Sequence, residues 1–173
     1  MQKAPGRDGE DGPTDVLNTC LCRLHPLAVP PTIVLKGVKM SKVEKSAEFH
    51  APVEKTFNLV TDITTWPQWI IPITRVDNIS GNGMGTTYNW EFKLGSLPAL
   101  KGEGEITKLI PNRRVEIKTR PVPSTWTFAF ADRGDRTIVT LSIEYDIPGG
   151  GLATGLVNDQ IEESIGLLRS LLE

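Results

Sequence analysis

Residues Ile138–Glu173, IVTLSIEYDIPGGGLATGLVNDQIEESIGLLRSLLE, change period once, and that change decides the fold. Val139, Leu141, Ile143, Tyr145 and Ile147 alternate with polar neighbours, the period-2 pattern of a strand with one buried face. Pro148-Gly149-Gly150-Gly151 then breaks the sheet. From Leu152 the apolar residues Val157, Ile161, Ile165, Leu168 and Leu172 recur at steps of four and three. That spacing puts them on one stripe of a helix running to the chain end. A helix of roughly 20 residues is about 30 Å long, enough to cross a sheet of several strands.

Working backwards, the strand pattern repeats. Trp126, Phe128 and Phe130 alternate with Thr127, Ala129 and Ala131; Val115, Ile117 and Thr119 alternate with Glu116, Lys118 and Arg120. Gly102 to Ile110 and Ile73 to Ile79 read as strands. Thr87 to Leu94 is the sharpest, with Tyr88, Trp90, Phe92 and Leu94 on one face. Gly81-Asn82-Gly83, Pro111-Asn112 and Arg133-Gly134-Asp135 supply turns between them. Upstream, Val43 to Phe49 forms a first strand ended by Ala51-Pro52. Pro52 suits a helix start, and Val53, Phe57 and Val60 follow at helical spacing. A second short helical piece spans Thr64 to Trp69, bent by Pro67. Each strand has one apolar and one polar face, so the sheet is antiparallel and covered on one side. The last helix alone can cover it. The class is therefore α+β: a curved antiparallel sheet of about seven strands around a long C-terminal helix, with two short helices after the first strand.

Composition bounds the rest. The chain has 173 residues and a net charge of −2, which suits one domain with no nucleic-acid partner, because phosphate binding needs surplus Lys and Arg. No run of 18 apolar residues exists, so no membrane-spanning segment is expected, and the expected compartment is the cytoplasm. All aromatic residues lie at or after Phe49, while residues 1–40 hold five of the 13 prolines. Residues 1–40 are read either as a disordered leader or as a start assigned too early, with the binding domain at 41–173. Cys20 and Cys22 with His25 lack the second ligand pair that a zinc site needs. No metal or cofactor is assigned.

The element order and its punctuation resemble the SRPBCC superfamily of START-like lipid-transfer domains, pollen allergens and polyketide cyclases/dehydrases. The residues carrying the resemblance are Ala51-Pro52-Val53-Glu54-Lys55-Thr56-Phe57, Trp66-Pro67-Gln68-Trp69 and the tail from Ile161 to Glu173. These are structural signatures rather than catalytic motifs. The resemblance implies a helix-grip fold with a cavity between sheet and helix, where members bind lipids, sterols, hormones or polyketides and a minority catalyse cyclisation or dehydration.

The candidate ligand-binding residues follow from that cavity. Tyr88, Trp90, Phe92, Trp126 and Phe128 would face inward from the sheet, Trp66 and Trp69 from the short helices, and Thr154 and Ile161 from the terminal helix. Apolar walls with a few polar tips make the usual small-molecule site. Strand 102–110 is open between two registers. With Ile106 inward, Gly102 and Gly104 face inward too and leave space beside the aromatic rings. With Thr107 and Leu109 inward, Glu103 and Glu105 enter the cavity.

The first functional reading is binding or transport of a small hydrophobic molecule. The second is a cyclase or dehydratase with Glu105, Tyr88 or Arg120 as acid or base; it is weakened because His25 and His50 are the only histidines and neither reads into the cavity. The third is a protein partner with the cavity filled by side chains. A ligand gate is expected between the glycine-rich start of the last helix and Trp66–Trp69.

Overall fold

The structure is a computed structural model that describes residues 40–93, 98–146 and 150–173. The readings of residues 1–39, of Leu94, of Ile147 and of Gly149 lie outside the described residues. The period change of the terminal segment is realised as strand β7 (Thr137–Tyr145) followed by helix α2 (Gly150–Leu172). Strand β1 (Ser41–Phe49) pairs with β7 along its whole length, from Ser41 opposite Tyr145 to Phe49 opposite Thr137. The other strands are β2 (Ile73–Ser80), β3 (Thr87–Phe92), β4 (Leu100–Ile110), β5 (Arg114–Arg120) and β6 (Ser124–Asp132). They form one sheet in the order β1-β7-β6-β5-β4-β3-β2, every neighbour antiparallel. This is the seven-stranded curved sheet and helix expected from the sequence.

The two short helices stand where Pro52 and Asp62 allow them. Helix α1 (Val53–Thr61) starts after Pro52 and buries Val53, Thr56, Phe57 and Val60. A 3₁₀ turn, Ile63–Gln68, starts at Asp62, whose carboxylate accepts the Thr64 N–H at 3.1 Å. The Trp66 indole N–H donates to the Val60 carbonyl at 2.9 Å, locking the turn onto α1.

Helix α2 buries Ile161, Ser164, Leu168 and Leu172 against the sheet. Its C-terminal end is tied by polar contacts as well. Lys55 Nζ donates to the Leu172 carbonyl at 2.6 Å, a cation at the end of the helix where carbonyls lack partners. The Glu173 carboxylate accepts the His50 N–H at 3.0 Å, and the Arg169 guanidinium lies over the Phe49 ring.

The structure resolves the two registers of β4. Gly102 lies opposite Trp90 and Gly104 opposite Tyr88, and both glycines face inward. A Cβ at Gly104 would overlap the Tyr88 phenol; one at Gly102 would overlap the Trp90 indole and the Arg120 carbonyl. The space beside the glycines is thus not empty: the opposite aromatic rings fill it. Glu103 and Glu105 are exposed on the outer face. A register shift between Ile106 and Lys108 brings Leu109 back to the inner side, so Ile106 and Leu109 both reach the core.

Candidate functional site

Between the concave face of the sheet and α2 the core is not filled. A cavity of about 190 Å³ remains there. Trp69 and Ile70, just after the 3₁₀ turn, wall one end. Trp90, Trp126, Leu141 and Ile143 come from the sheet, and Val157 and Ile161 from the helix. The period-2 pattern aims these strand residues inward, and the helical stripe aims Val157 and Ile161 back at them. Leu100 and Leu156 also line the cavity, yet each is about half exposed (52% and 50%), so they mark its mouth.

The hydroxyl groups in the wall are few and engaged, while the Trp90 indole N–H is not. The Thr119 hydroxyl donates to the Val122 carbonyl at 2.9 Å and sits 2.6 Å from the Ser124 hydroxyl. Ser124 Oγ accepts the Trp126 indole N–H at 3.0 Å. On the helix side, the Ser164 hydroxyl donates to the Gln160 carbonyl and accepts the Ile71 N–H at 2.9 Å. Tyr145 and Thr154 are joined by a 3.1 Å hydrogen bond. The Trp90 indole N–H, buried in the wall, has no partner among the described residues. Leaving such a donor unpaired costs about 1–3 kcal/mol. Its ring is held instead by packing over Gly102 and against Phe92, whose centroid is 4.3 Å away.

The candidates from the sequence divide accordingly. Trp69, Trp90, Phe92, Trp126 and Ile161 meet at the cavity. Thr154 does not line the cavity itself but is hydrogen-bonded to Tyr145, which does. Trp66, Tyr88 and Phe128 are packing residues: Trp66 and Tyr88 contact edge-to-face at 5.3 Å, and Phe128 braces Trp69 at 6.2 Å. Burial of the Tyr88 phenol pushes its pKa far up. Glu105 does not line the cavity; it lies on the opposite face of β4, because the glycines occupy the inner positions. Arg120 is also outside, paired with Glu103 at 2.8 Å. The two sides of the expected gate differ in exposure. Trp66 and Trp69 are buried at 3% and 2% exposure, whereas Leu156 in the first turns of α2 is half exposed.

Sequence reasoning did not assign Ser124, Gln160 or Ser164 to the site. Ser164 carried a signal, since it falls one turn after Ile161 on the buried stripe.

A larger groove, about 580 Å³, lies on the outer face of β2–β5. Its charges neutralise one another: Arg75 pairs with Asp77 at 2.9 Å, Lys101 with Glu91 at 3.4 Å, and Arg120 with Glu103. It is open and rimmed by charged side chains, and solvent-exposed ion pairs of this kind contribute little. The inner cavity, smaller and apolar, is the candidate site.

Residues 40–173, most of the chain, match the family described as polyketide cyclase / dehydrase and lipid transport. The chain belongs to this family. Solved structures share its fold. One is a START superfamily protein from Mycobacterium smegmatis, with 14% identity and a TM-score of 0.65 over 76% of this chain and 96% of that one. The ginseng major latex-like protein 151 from Panax ginseng matches at 15% identity and a TM-score of 0.60, over 77% and 97%. The Zhui aromatase/cyclase from Streptomyces sp. R1128 matches at 14% identity and a TM-score of 0.56, over 77% and 91%. No curated protein matches the sequence. Identities this low establish the helix-grip fold and leave activity to the site itself. Among the described residues, no helix is long and apolar enough to cross a membrane.

Proposed function

We propose that this protein binds and carries a small hydrophobic molecule in the cavity between the sheet and α2. The observation that carries the reading is the cavity: about 190 Å³ left open among three tryptophans, between the concave face of the sheet and α2. Native interiors leave few voids larger than a water molecule, and a void lined by aliphatic and aromatic side chains stays dry and takes apolar ligands.

The wall supports a carrier better than a cyclase or dehydratase. Among the described lining residues there is no His, Asp, Glu, Lys, Arg or Cys. Proton transfer at a reacting centre needs a positioned acid or base, and an enzyme site ordinarily converges two or more such groups. Glu105 and Arg120, the charged candidates, face solvent. The half-exposed Leu100 and Leu156 at the mouth give an apolar solute a path that crosses no charge.

The test is a titration of the folded protein with a single-ring hydrocarbon, followed by the indole N–H signals in ¹⁵N–¹H NMR. Trp69, Trp90 and Trp126 should shift saturably, with Trp66 nearly still. Val157→Phe, which extends a ring into the cavity, should weaken binding about tenfold or more, equivalent to about 1.4 kcal/mol, without loss of folding. Equal shifts in Val157→Phe and the natural protein would place binding elsewhere.

A further inference from the structure

The boundary between packed core and open cavity cuts across single elements. On β6 it falls between Phe128, outside the cavity lining, and Trp126, within it. On β3 it falls between Tyr88 and Trp90, and on α2 between Leu168 and Ser164. Trp69 stands at this boundary. It lines the cavity, is buried, and meets Phe128 edge-to-face at 6.2 Å. Its indole N–H donates to the Thr65 hydroxyl at 3.3 Å, which fixes the ring's direction. On the Phe128 side, rings take up the space under the sheet: Trp66 meets Tyr88 at 5.3 Å and Phe57 meets Phe130 at 5.2 Å.

We infer that Trp69 is the floor of the cavity and the residue that limits its cargo to one neutral ring. The inference rests on the carrier reading above and adds to it the size class of the ligand and the side chain that sets it. Volume gives the limit. An apolar cavity of about 150 Å³ holds one benzene, whereas pockets for drug-sized molecules start at about 300 Å³. The cavity here, about 190 Å³, lies nearer to the single ring. A second, fused ring has two places to go. Toward the mouth, beside the half-exposed Leu100 and Leu156, it stays partly in water and contributes little. Toward the core it meets the Trp69 indole, which Phe128 backs. Charge is excluded because none of the described lining residues carries a counter-charge, and an unpaired ion in an apolar site is costly.

The probes are phenol and 2-naphthol. Each carries one hydroxyl and is neutral at about pH 7, so hydrogen bonding is matched and only the ring count differs. With more apolar surface to take out of water, 2-naphthol is the tighter ligand wherever both rings fit. The expected result in the natural protein is 2-naphthol binding no tighter than phenol, read from the indole N–H signals of Trp90 and Trp126. In Trp69→Leu, which lowers the floor, 2-naphthol should become about tenfold tighter relative to phenol. Leu168→Ala truncates the same core away from the cavity and should leave the ratio as in the natural protein. Trp69→Phe keeps a smaller aromatic floor and should move the ratio part of the way, so a poorly folded Trp69→Leu does not remove the test. Tighter binding of 2-naphthol than of phenol by the natural protein would overturn the inference while leaving the carrier reading intact. So would a ratio that both Trp69 variants leave unchanged, or one that Leu168→Ala shifts as far. Binding of neither probe would overturn both.

Discussion

Replacing Gly104 with alanine should be among the more damaging single-methyl changes in this domain. The position is mid-strand, where alanine would ordinarily gain about 0.5–1 kcal/mol over glycine. Here the added Cβ would fall on the Tyr88 ring, which lies flat over Gly104 and is buried to 2% exposure. Tyr88 cannot swing away, because the Trp66 ring meets it edge-on at 5.3 Å. Overpacking of a filled core costs about 1–3 kcal/mol. For a domain of this size that is a melting-temperature loss of about 3–5 °C per kcal/mol. Thermal unfolding followed by circular dichroism measures it. The cause is isolated by a double-mutant cycle with Tyr88→Val, whose side chain stops short of Gly104. In that background Gly104→Ala should be neutral or mildly stabilising, giving a coupling of about 2 kcal/mol. Glu105→Ala, one residue along on the outer face, should stay within about 0.5 kcal/mol of the natural protein. A neutral Gly104→Ala beside a destabilising Glu105→Ala would refute the register of β4 and the filling of the glycine positions by aromatic rings.

Three further outcomes follow from the same structure. Burial raises the Tyr88 pKa above the value of about 10 that it has in the unfolded chain, so the phenol's contribution is complete below pH 10 and is lost as pH rises beyond it. Tyr88→Phe should flatten that alkaline fall in stability, measured by urea unfolding from about pH 8 to about pH 11, which brackets the tyrosine range; an unchanged slope would exclude Tyr88 as its source. Deleting residues 1–39 should leave the melting temperature within about 2 °C, because β1 begins at Ser41 and already pairs fully with β7; a ten-degree drop would show that the removed segment supports the domain. Lys55→Met should destabilise by about 0.5–1 kcal/mol through loss of the bond to the Leu172 carbonyl, with faster hydrogen exchange confined to the last turns of α2; exchange unaltered there would mean that the contact holds nothing.

Legibility from sequence followed the strength of periodic signals. The alternation through Tyr88, Trp90 and Phe92 and through Trp126, Phe128 and Phe130 placed those rings on the inner face, where the structure has them. The stripe Ile161, Leu168 and Leu172 likewise settled which side of α2 is buried. Strand β4 resisted because Ile106 and Leu109 are an odd number of residues apart. Strict alternation puts one inside and the other outside, and only a bulge lets both face the core. The division of the inward rings between cavity and packing was also hidden. Whether a buried ring lines a void depends on what sits opposite it, and for Tyr88 that is the missing side chain of Gly104 across the strand pair. Trp66 does not line the cavity although Trp69 does, because proximity in the chain does not fix ring direction. The bond from Trp66 to the Val60 carbonyl turns its ring toward α1. Ser164 shares the buried stripe of Ile161, but Ser124 and Gln160 carry no periodic signature of their own, so their place in the wall emerged only once α2 lay across the sheet.

The account stands on the cavity being a binding site rather than a packing defect. The most direct measurement is native mass spectrometry of the full chain purified from its own host, beside Val157→Phe prepared in the same way. The account predicts a retained neutral molecule of single-ring size, bound one per chain and lost on acid unfolding, and its depletion from Val157→Phe. A natural protein that arrives with nothing bound and takes up no single-ring compound at millimolar concentration would contradict it, and so would a retained molecule held equally by both proteins.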